Sequence, residues 1–580
     1  MSDSNYWQSV TTRRGLGRRA FLRSAAVTGA GAAAFLAGCR SSTTTTPAGG
    51  SAAGPAGSAS ALFAVPEGKY GGTIAEAFSY EPTGWDPQAS VGAGSGAIIE
   101  ASSIKLVRHD YRRTPPFKNG AETMLLPELA EKWENPDPLT YNFTLRSGIN
   151  WPDQDPMKGR PITAKDVAYT FKHAKTPEAV VQSYVFDPIN SVTAIDDKTV
   201  QFKLKTPNWL FPNTMNTYSS MIIPDGIYEW TGPGAWSSDK SRGGGPWILD
   251  EYQPGSFASY KPNPAYKKVF GVPYADKLIL KILIGQTPQL QAFVGKQIFK
   301  LSIPPGQLDA IKKSRPDIKT NLDVYAASNT NALFSNTQDK PFDDIRVRRA
   351  ISMSVDRDGW GKALQAPYKL ESGPITWGYE DWKHDLPKMP ADVNQWAKYN
   401  PDEAAKLMQA AGISKSNEYT IHMYPYNETY TPEATFLINS LQKVGMTAKL
   451  KVYDYNNWIA NVYYSLNPKA YSGMLYGPDN LDRIQQQLFD RYSKTSNRNH
   501  AFIVDNEMEK WLPEFSAAKG PDEAKVVSNK IQQRSVDQAY AAYRPQPTSP
   551  LAWDPSVQNY EGQTEFSYQS SFRMAFLWMN

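Results

Sequence analysis

The chain has 580 residues, of which 41% are hydrophobic, 12% aromatic and 21% charged, a globular composition in a chain too long for one hydrophobic core. Its formal net charge of +5 is concentrated at the start, where Arg13, Arg14, Arg18, Arg19 and Arg23 stand against Asp3; the near-neutral remainder has no basic footprint for nucleic acid. One cysteine, Cys39, excludes an intramolecular disulfide, a CxxC metal site and a redox pair.

The first predicted element is an export signal over residues 1–38. A basic stretch ending in Arg18-Arg19-Ala20-Phe21-Leu22-Arg23 leads into an Ala/Gly-rich run to Ala37. That run is about 14 residues, short of the roughly 20 a spanning helix needs. The arginine pair before Phe-Leu looks like a twin-arginine signal, with general secretion as the other route. Leu36-Ala37-Gly38-Cys39 looks like a bacterial lipobox, which makes Cys39 the expected lipidation site and mature N-terminus. Residues 39–66, rich in Ser, Thr, Gly, Ala and Pro, read as a flexible tether with an r.m.s. reach of roughly 30 Å.

From Tyr70 the sequence alternates short strand and helix signals. Strands are predicted at "YNFTLR" (141–146), "KTVQFKLK" (198–205), "KLILKILI" (277–284) and "TAKLKVYDY" (447–455), each β-rich or alternating. Helices are predicted at 163–174, with Thr163 and Asp166 as a capping-box pair, at 400–412 ended by Gly412, and at 431–445 ended by Gly445,. In "PFDDIRVRRAIS", Asp343 or Asp344 caps a helix whose Val347, Ala350, Ile351 and Val355 form an apolar stripe, with Arg346 and Arg349 partly outward,. "GGGPW" (243–247) reads as a tight turn before a strand,. The body contains no further run of 18 apolar residues, and its texture is α/β.

Several segments, in order, resemble the bacterial extracellular solute-binding proteins of family 5, the oligopeptide-, dipeptide- and nickel-binding components of ABC importers. They are "YGGTIAEAFSYEPTGWDP" (70–87), "LPELAEKWE" (126–134), "YNFTLRSGINWPD" (141–153), "KGRPITAKDVAYTF" (158–171), "GGGPWILDEYQPGSFASYKPNPAY" (243–266), "KPFDDIRVRRAISMSVDR" (340–357), "YNPDEAAKLMQAAGI" (399–413) and "LINSLQKVGMTAKLKV" (437–452). The resemblance implies a two-lobed periplasmic-binding-protein-like α/β fold with a ligand trapped between the lobes. Lobe 1 is expected over 70–325, with an inserted subdomain near 96–199 and a C-terminal return at 543–580; lobe 2 is expected over 326–542. It further implies hinge closure on the ligand, a monomer, and ABC permease subunits as partners.

The same resemblance places a ligand-lining segment after the first Asp-Pro, at Val91, Gly92 and Ala93, where small residues permit close backbone approach,. Turn-forming glycines are the plainer reading. The formal GxGxxA at 92–97 follows no strand and is not read as a dinucleotide site. Peptide binders of the family put an aspartate in the second lobe against the peptide ammonium; the corresponding "YSGMLYGPDNLDRI" (471–484) lacks the usual Trp and first Asp, and Asp479 is the nearest substitute. An oligopeptide is the expected ligand. A carbohydrate or other small solute is the alternative, with Trp85, Trp377, Trp382 and Tyr476 as candidate walls or core residues,.

Nickel is disfavoured because His109, His173, His384, His422 and His500 have no ligand-like spacing,. No metal or other cofactor is expected. A secreted hydrolase is the rival class, yet the chain has no GxSxG, HExxH or GxxxxGK[ST],; a triad assembled from distant positions is the form such an enzyme would take.

Overall fold

The computed structural model describes residues 67–580 apart from short stretches, the longest being 110–124, 175–185, 323–328 and 563–569. The leader, the tether and Cys39 lie outside the described residues. No helix among the described residues is long and apolar enough to cross a membrane. The described residues pack as two compact units, each discontinuous: an N-terminal unit of those from 67 to 324 with 516–521 and 549–580, and a central unit of 325–515 with 522–548.

The N-terminal unit contains β1 (Thr73–Phe78), α1 (Ala93–Ser102), β2 (Ala130–Asp137), β3 (Thr140–Leu145), α2 (Ala164–His173), β4 (Ile189–Ala194), β5 (Thr199–Leu204), β6 (Trp247–Gln253), β7 (Phe257–Pro262) and β8 (Lys277–Ile282). Its first sheet has the order β1-β8-β7-β6, with β1 parallel to β8 and the other pairs antiparallel. The alternation of KLILKI buries Leu278, Leu280 and Ile282 on one face of β8,. A second, antiparallel sheet has the order β2-β3-β5-β4. Helix α2 covers it, Phe171 meeting Phe202 edge-on at 5.0 Å. The capping box forms: Asp166 accepts from Thr163 N at 2.8 Å, and the same carboxylate pairs with Arg160 at 2.6 Å. A third sheet joins Lys300–Ser302 and Lys319–Asn321 to the returning strand Leu551–Trp553.

The "GGG" segment works by proximity rather than as a turn. None of Gly243, Gly244 and Gly245 has a positive φ. A Cβ on Gly243 would lie 1.9 Å from Ser102 O, and one on Gly245 2.1 Å from Ser103 O. Glycine lets this strand touch the end of α1, where Gly245 N donates to Ser102 O at 2.9 Å,. Helix α1 is thereby tied to the first sheet, Tyr260 of β7 also donating to Ile98 O at 3.1 Å.

The central unit contains β9 (Asn329–Ser335), α3 (Ile345–Ser354), α4 (Pro401–Ala410), β10 (Glu418–Met423), α5 (Tyr430–Lys443), β11 (Thr447–Val452), β12 (Met474–Asn480), α6 (Pro521–Asp537) and β13 (Ala541–Tyr543). Its sheet has the order β11-β10-β12-β9-β13. The first three strands are parallel and β9 runs antiparallel to both its neighbours. Asp344 caps α3, accepting from Arg346 N at 2.8 Å. Val347, Ala350 and Ile351 are buried, but so is Arg348, whose guanidinium is held by main-chain carbonyls. Asn400 caps α4 through Glu403 N, and Gly412 and Gly445 take left-handed φ values of 76° and 90° after α4 and α5,. The packing of the described residues divides at 324/325 and 548/549. Strand β13 stays with the central sheet: it pairs with β9, Ala332 opposite Tyr543, and Arg544 N donates to Asn331 O at 3.1 Å.

Candidate functional site

In open α/β sheets ligands gather beyond the carboxyl ends of the parallel strands. In the central unit that end is where β10 and β12 terminate. Because β9 is antiparallel to β12, its first residues lie there too, Thr330 in register with Asp479 and Asn331 with Pro478. Tyr424 and Tyr426 follow β10, both half-buried, and meet edge-on at 4.9 Å. Trp458 donates its indole N–H to the Tyr426 hydroxyl at 2.9 Å, and Tyr430 donates to Asn331 Oδ1 at 3.3 Å.

One ion pair lies among these rings. Glu433 sits on the buried face of α5, one turn from Tyr430 and Leu437,. Its Oε1 accepts from Arg544 Nη1 at 2.8 Å and its Oε2 accepts from the Tyr476 hydroxyl. Burial pushes the Tyr476 pKa well above the usual phenol value, and the Glu433 carboxylate adds to it. For Arg544, burial acts to lower the pKa, but Glu433, Tyr476 and Tyr430 outweigh it and raise the value. The guanidinium therefore stays charged, donating an N–H to Glu433, with 13% of its side chain exposed.

A second cluster belongs to the N-terminal unit and surrounds the first Asp-Pro. Asp86 accepts from Gln88 N at 2.8 Å, Ala89 N at 3.2 Å and the Tyr228 hydroxyl at 2.9 Å. Burial raises its pKa despite those bonds. The His173 ring stacks on Tyr228 with centroids 4.1 Å apart. Gln88 donates to Thr170 O, so its Oε1 accepts and His173 Nδ1 is the donor across 2.8 Å,. Burial lowers the His173 pKa. Together these bonds fix the turn that leads into α1.

The expected site residues are distributed unevenly. Val91 and Gly92 lie outside the described residues, and Ala93 already starts α1, so its main chain is helical rather than extended. Asp479 is on β12 at the strand-end site. Trp377 opens the 3-10 segment Trp377–Trp382; the side chains of Trp377 and Asp479 lie outside the described residues. Tyr476 is fully buried, its ring against Trp360 and Tyr430, so it supports Glu433 from inside the core and presents no face to a ligand. Trp382 is likewise buried, beside Phe515. Trp85 is half-buried and meets Tyr252 edge-on at 4.9 Å. Among the described residues no group of three or more His, Cys, Asp or Glu is arranged to hold a metal.

Sequence reasoning missed Glu433, Arg544, Tyr426, Tyr430 and Trp458. One signal was available: Glu433 interrupts the apolar phase of α5 set by Tyr430, Ala434, Leu437 and Leu441,.

Two discontinuous α/β units, the central one with polar and aromatic side chains at its parallel strand ends, define a two-lobed solute-binding fold. The chain belongs to the bacterial extracellular solute-binding proteins, family 5, whose profile matches residues 125–490. It is 30% identical over 406 residues to the dipeptide-binding protein of Escherichia coli K12, covering 65% of this chain and 71% of that protein. It is 27% identical over 440 residues to di/tripeptide-binding protein 1 of Pseudomonas aeruginosa UCBPP-PA14, covering 69% and 78%. The solved oligopeptide-binding protein AppA of Bacillus subtilis, in complex with a nonapeptide, superposes with a TM-score of 0.71 over 89% of this chain and all of that one, at 17% identity.

Proposed function

We propose that this chain is the solute-binding subunit of an ABC importer, capturing short peptides outside the cytoplasmic membrane and delivering them to a permease. The observation that carries the reading is the match over about two thirds of the chain to dipeptide- and di/tripeptide-binding proteins. The strand-end site suits such a ligand: Tyr424 and Tyr426 are half-buried rings that offer aromatic faces, the Arg544 guanidinium lies nearby as a partner for a peptide carboxylate, and Asp479 is on the same strand end,. Val91 and Gly92 complete the ligand-binding set through main-chain contact. The subunit breaks no bond and acts as a monomer. A twin-arginine leader exports it, and diacylglycerol on Cys39 holds it to the outer face of the membrane through the 39–66 tether.

Native mass spectrometry of the full mature chain, followed by thermal unfolding with di- and tripeptide pools, tests this. A co-purifying or added peptide should stabilise the protein by about 2.7 kcal/mol at a hundredfold excess over its Kd. Peptide hydrolysis during incubation, or no stabilisation by any pool, would sink the reading.

A further inference from the structure

The central unit has a concavity at the end of its sheet opposite the strand-end site. Strand β9 finishes at Ser335 opposite Met474, the first residue of β12, and Asn336 N then donates to Gly473 O at 3.0 Å. The chain beyond lines a pocket of about 340 Å³ with Arg348, Asp343, Asp505, Glu507, Arg534 and Tyr540. Asn331, Asp479 and Arg544 belong to the other end of the same strands.

Arg348 is the deep wall of this pocket, only 5% exposed. Its Nε donates to Gln538 O at 3.0 Å, and its Nη1 to Phe342 O and Asp343 O at 2.8 and 3.0 Å. Its Nη2 has no hydrogen-bond partner among the described residues. Arg534 binds Asp505 Oδ2 through Nε at 2.8 Å, and neither of its terminal nitrogens has a partner among the described residues. Asp505 is already satisfied by Arg534, by the Tyr540 hydroxyl at 2.6 Å and by the N–H groups of Glu507 and Met508. Two guanidinium groups therefore line the pocket with donors to spare, one of them on a nearly buried side chain, and an anion would take those donors in charge-assisted hydrogen bonds,. The rim carries two exposed carboxylates, Glu507 and Asp343, the latter 3.6 Å from the exposed Lys340 ammonium.

We infer that this pocket binds a small zwitterion of amino-acid size, carboxylate inward on Arg348 and Arg534, ammonium outward on Asp343 and Glu507. The volume lies at the small end of the roughly 300–1,000 Å³ of ligand sites. Inorganic phosphate would meet the carboxylates of Asp505 and Glu507, and that of Asp343 beside Lys340, with no ammonium of its own to offset them, which favours a zwitterion over a multivalent anion. The inference is independent of the peptide site.

Equilibrium dialysis of isotopically labelled L-alanine against the full mature chain tests it, with acetate and inorganic phosphate as competitors. Saturable binding is expected, weakened about 10- to 100-fold by Arg534→Gln, the loss of charge-assisted hydrogen bonds, and less by Glu507→Gln. Glu507 is exposed, so its substitution keeps the experiment decisive if Arg534→Gln fails to fold. L-Alanine bound at the peptide site would ignore both substitutions, which overturns the inference. So would the absence of saturable binding, or displacement by phosphate more readily than by acetate.

Discussion

Replacing Arg544 with methionine removes a cation and leaves its partner behind. Glu433 has 4% of its side chain exposed, and without Arg544 its remaining support is the Tyr476 hydroxyl on Oε2. Methionine retains most of the aliphatic stem, so the packing loss is small. The penalty is that of an uncompensated buried carboxylate, about 3–5 kcal/mol. Because the two units need not unfold together, calorimetry should follow the transition of the central unit. At about 2–4 °C per kcal/mol for a domain of this size, the expected fall is roughly 6–20 °C. Adding Glu433→Gln removes the stranded charge while its amide oxygen still accepts from Tyr476, so the double variant should recover most of the loss. A single variant that loses less than about 1 kcal/mol, or a double variant no more stable than the single, would refute the view that Glu433 depends on Arg544.

The pH dependence of stability should carry the mark of His422, which donates from Nε2 to Ser472 O at 2.9 Å and accepts at Nδ1 from the Tyr453 hydroxyl at 2.7 Å. Burial depresses its pKa from 6.5 to about 4, so the unfolded chain takes up the proton first. Stability should fall by roughly 2–3 kcal/mol as the pH drops through that window, and denaturant titrations of His422→Gln should show a flatter profile. Gly245→Ala drives a Cβ to 2.1 Å from Ser103 O and should lose more than the about 1–3 kcal/mol of ordinary overpacking. Gly373→Ala, whose Cβ meets nothing within 4 Å, should be neutral or stabilising by up to about 1 kcal/mol in the same thermal assay. Asp479→Asn should weaken peptides with a free amino terminus by about tenfold or more while sparing N-acetylated ones, measured by titration calorimetry. Cys39→Ser should move the protein from the membrane fraction to the soluble one on cell fractionation.

Local rules made much of the fold legible. The alternation of "KTVQFKLK" and "KLILKILI" became β5 and β8, and caps at Thr163, Asp344 and Asn400 marked helix starts to within a residue. What local rules missed was set by distant partners. Glycine in "GGGPW" is demanded by Ser102 and Ser103, more than 100 residues away in sequence, and nothing adjacent to Gly243 distinguishes that from a turn. The same holds for the last strand of the central sheet, where β13 is set by its pairing with β9, about 200 residues earlier.

The site was less legible because aromatic and charged residues have two uses, and sequence reports only their presence. Tyr476 and Trp382 were candidate walls and are core, since a ring gains as much by burial as by contact with a ligand. Glu433 and Arg544 are the reverse case, charged residues that composition assigns to the surface and the fold assigns to the interior,. An acid in the apolar phase of a helix needs a cation, and any of 62 Lys and Arg residues might have supplied it. Sheet order narrows that choice to Arg544: β9 lies between β12 and β13, placing Tyr476 and Arg544 on its two sides and within reach of the same carboxylate. The Glu433–Arg544 cluster at the strand ends is thus a product of strand order, which no single segment encodes.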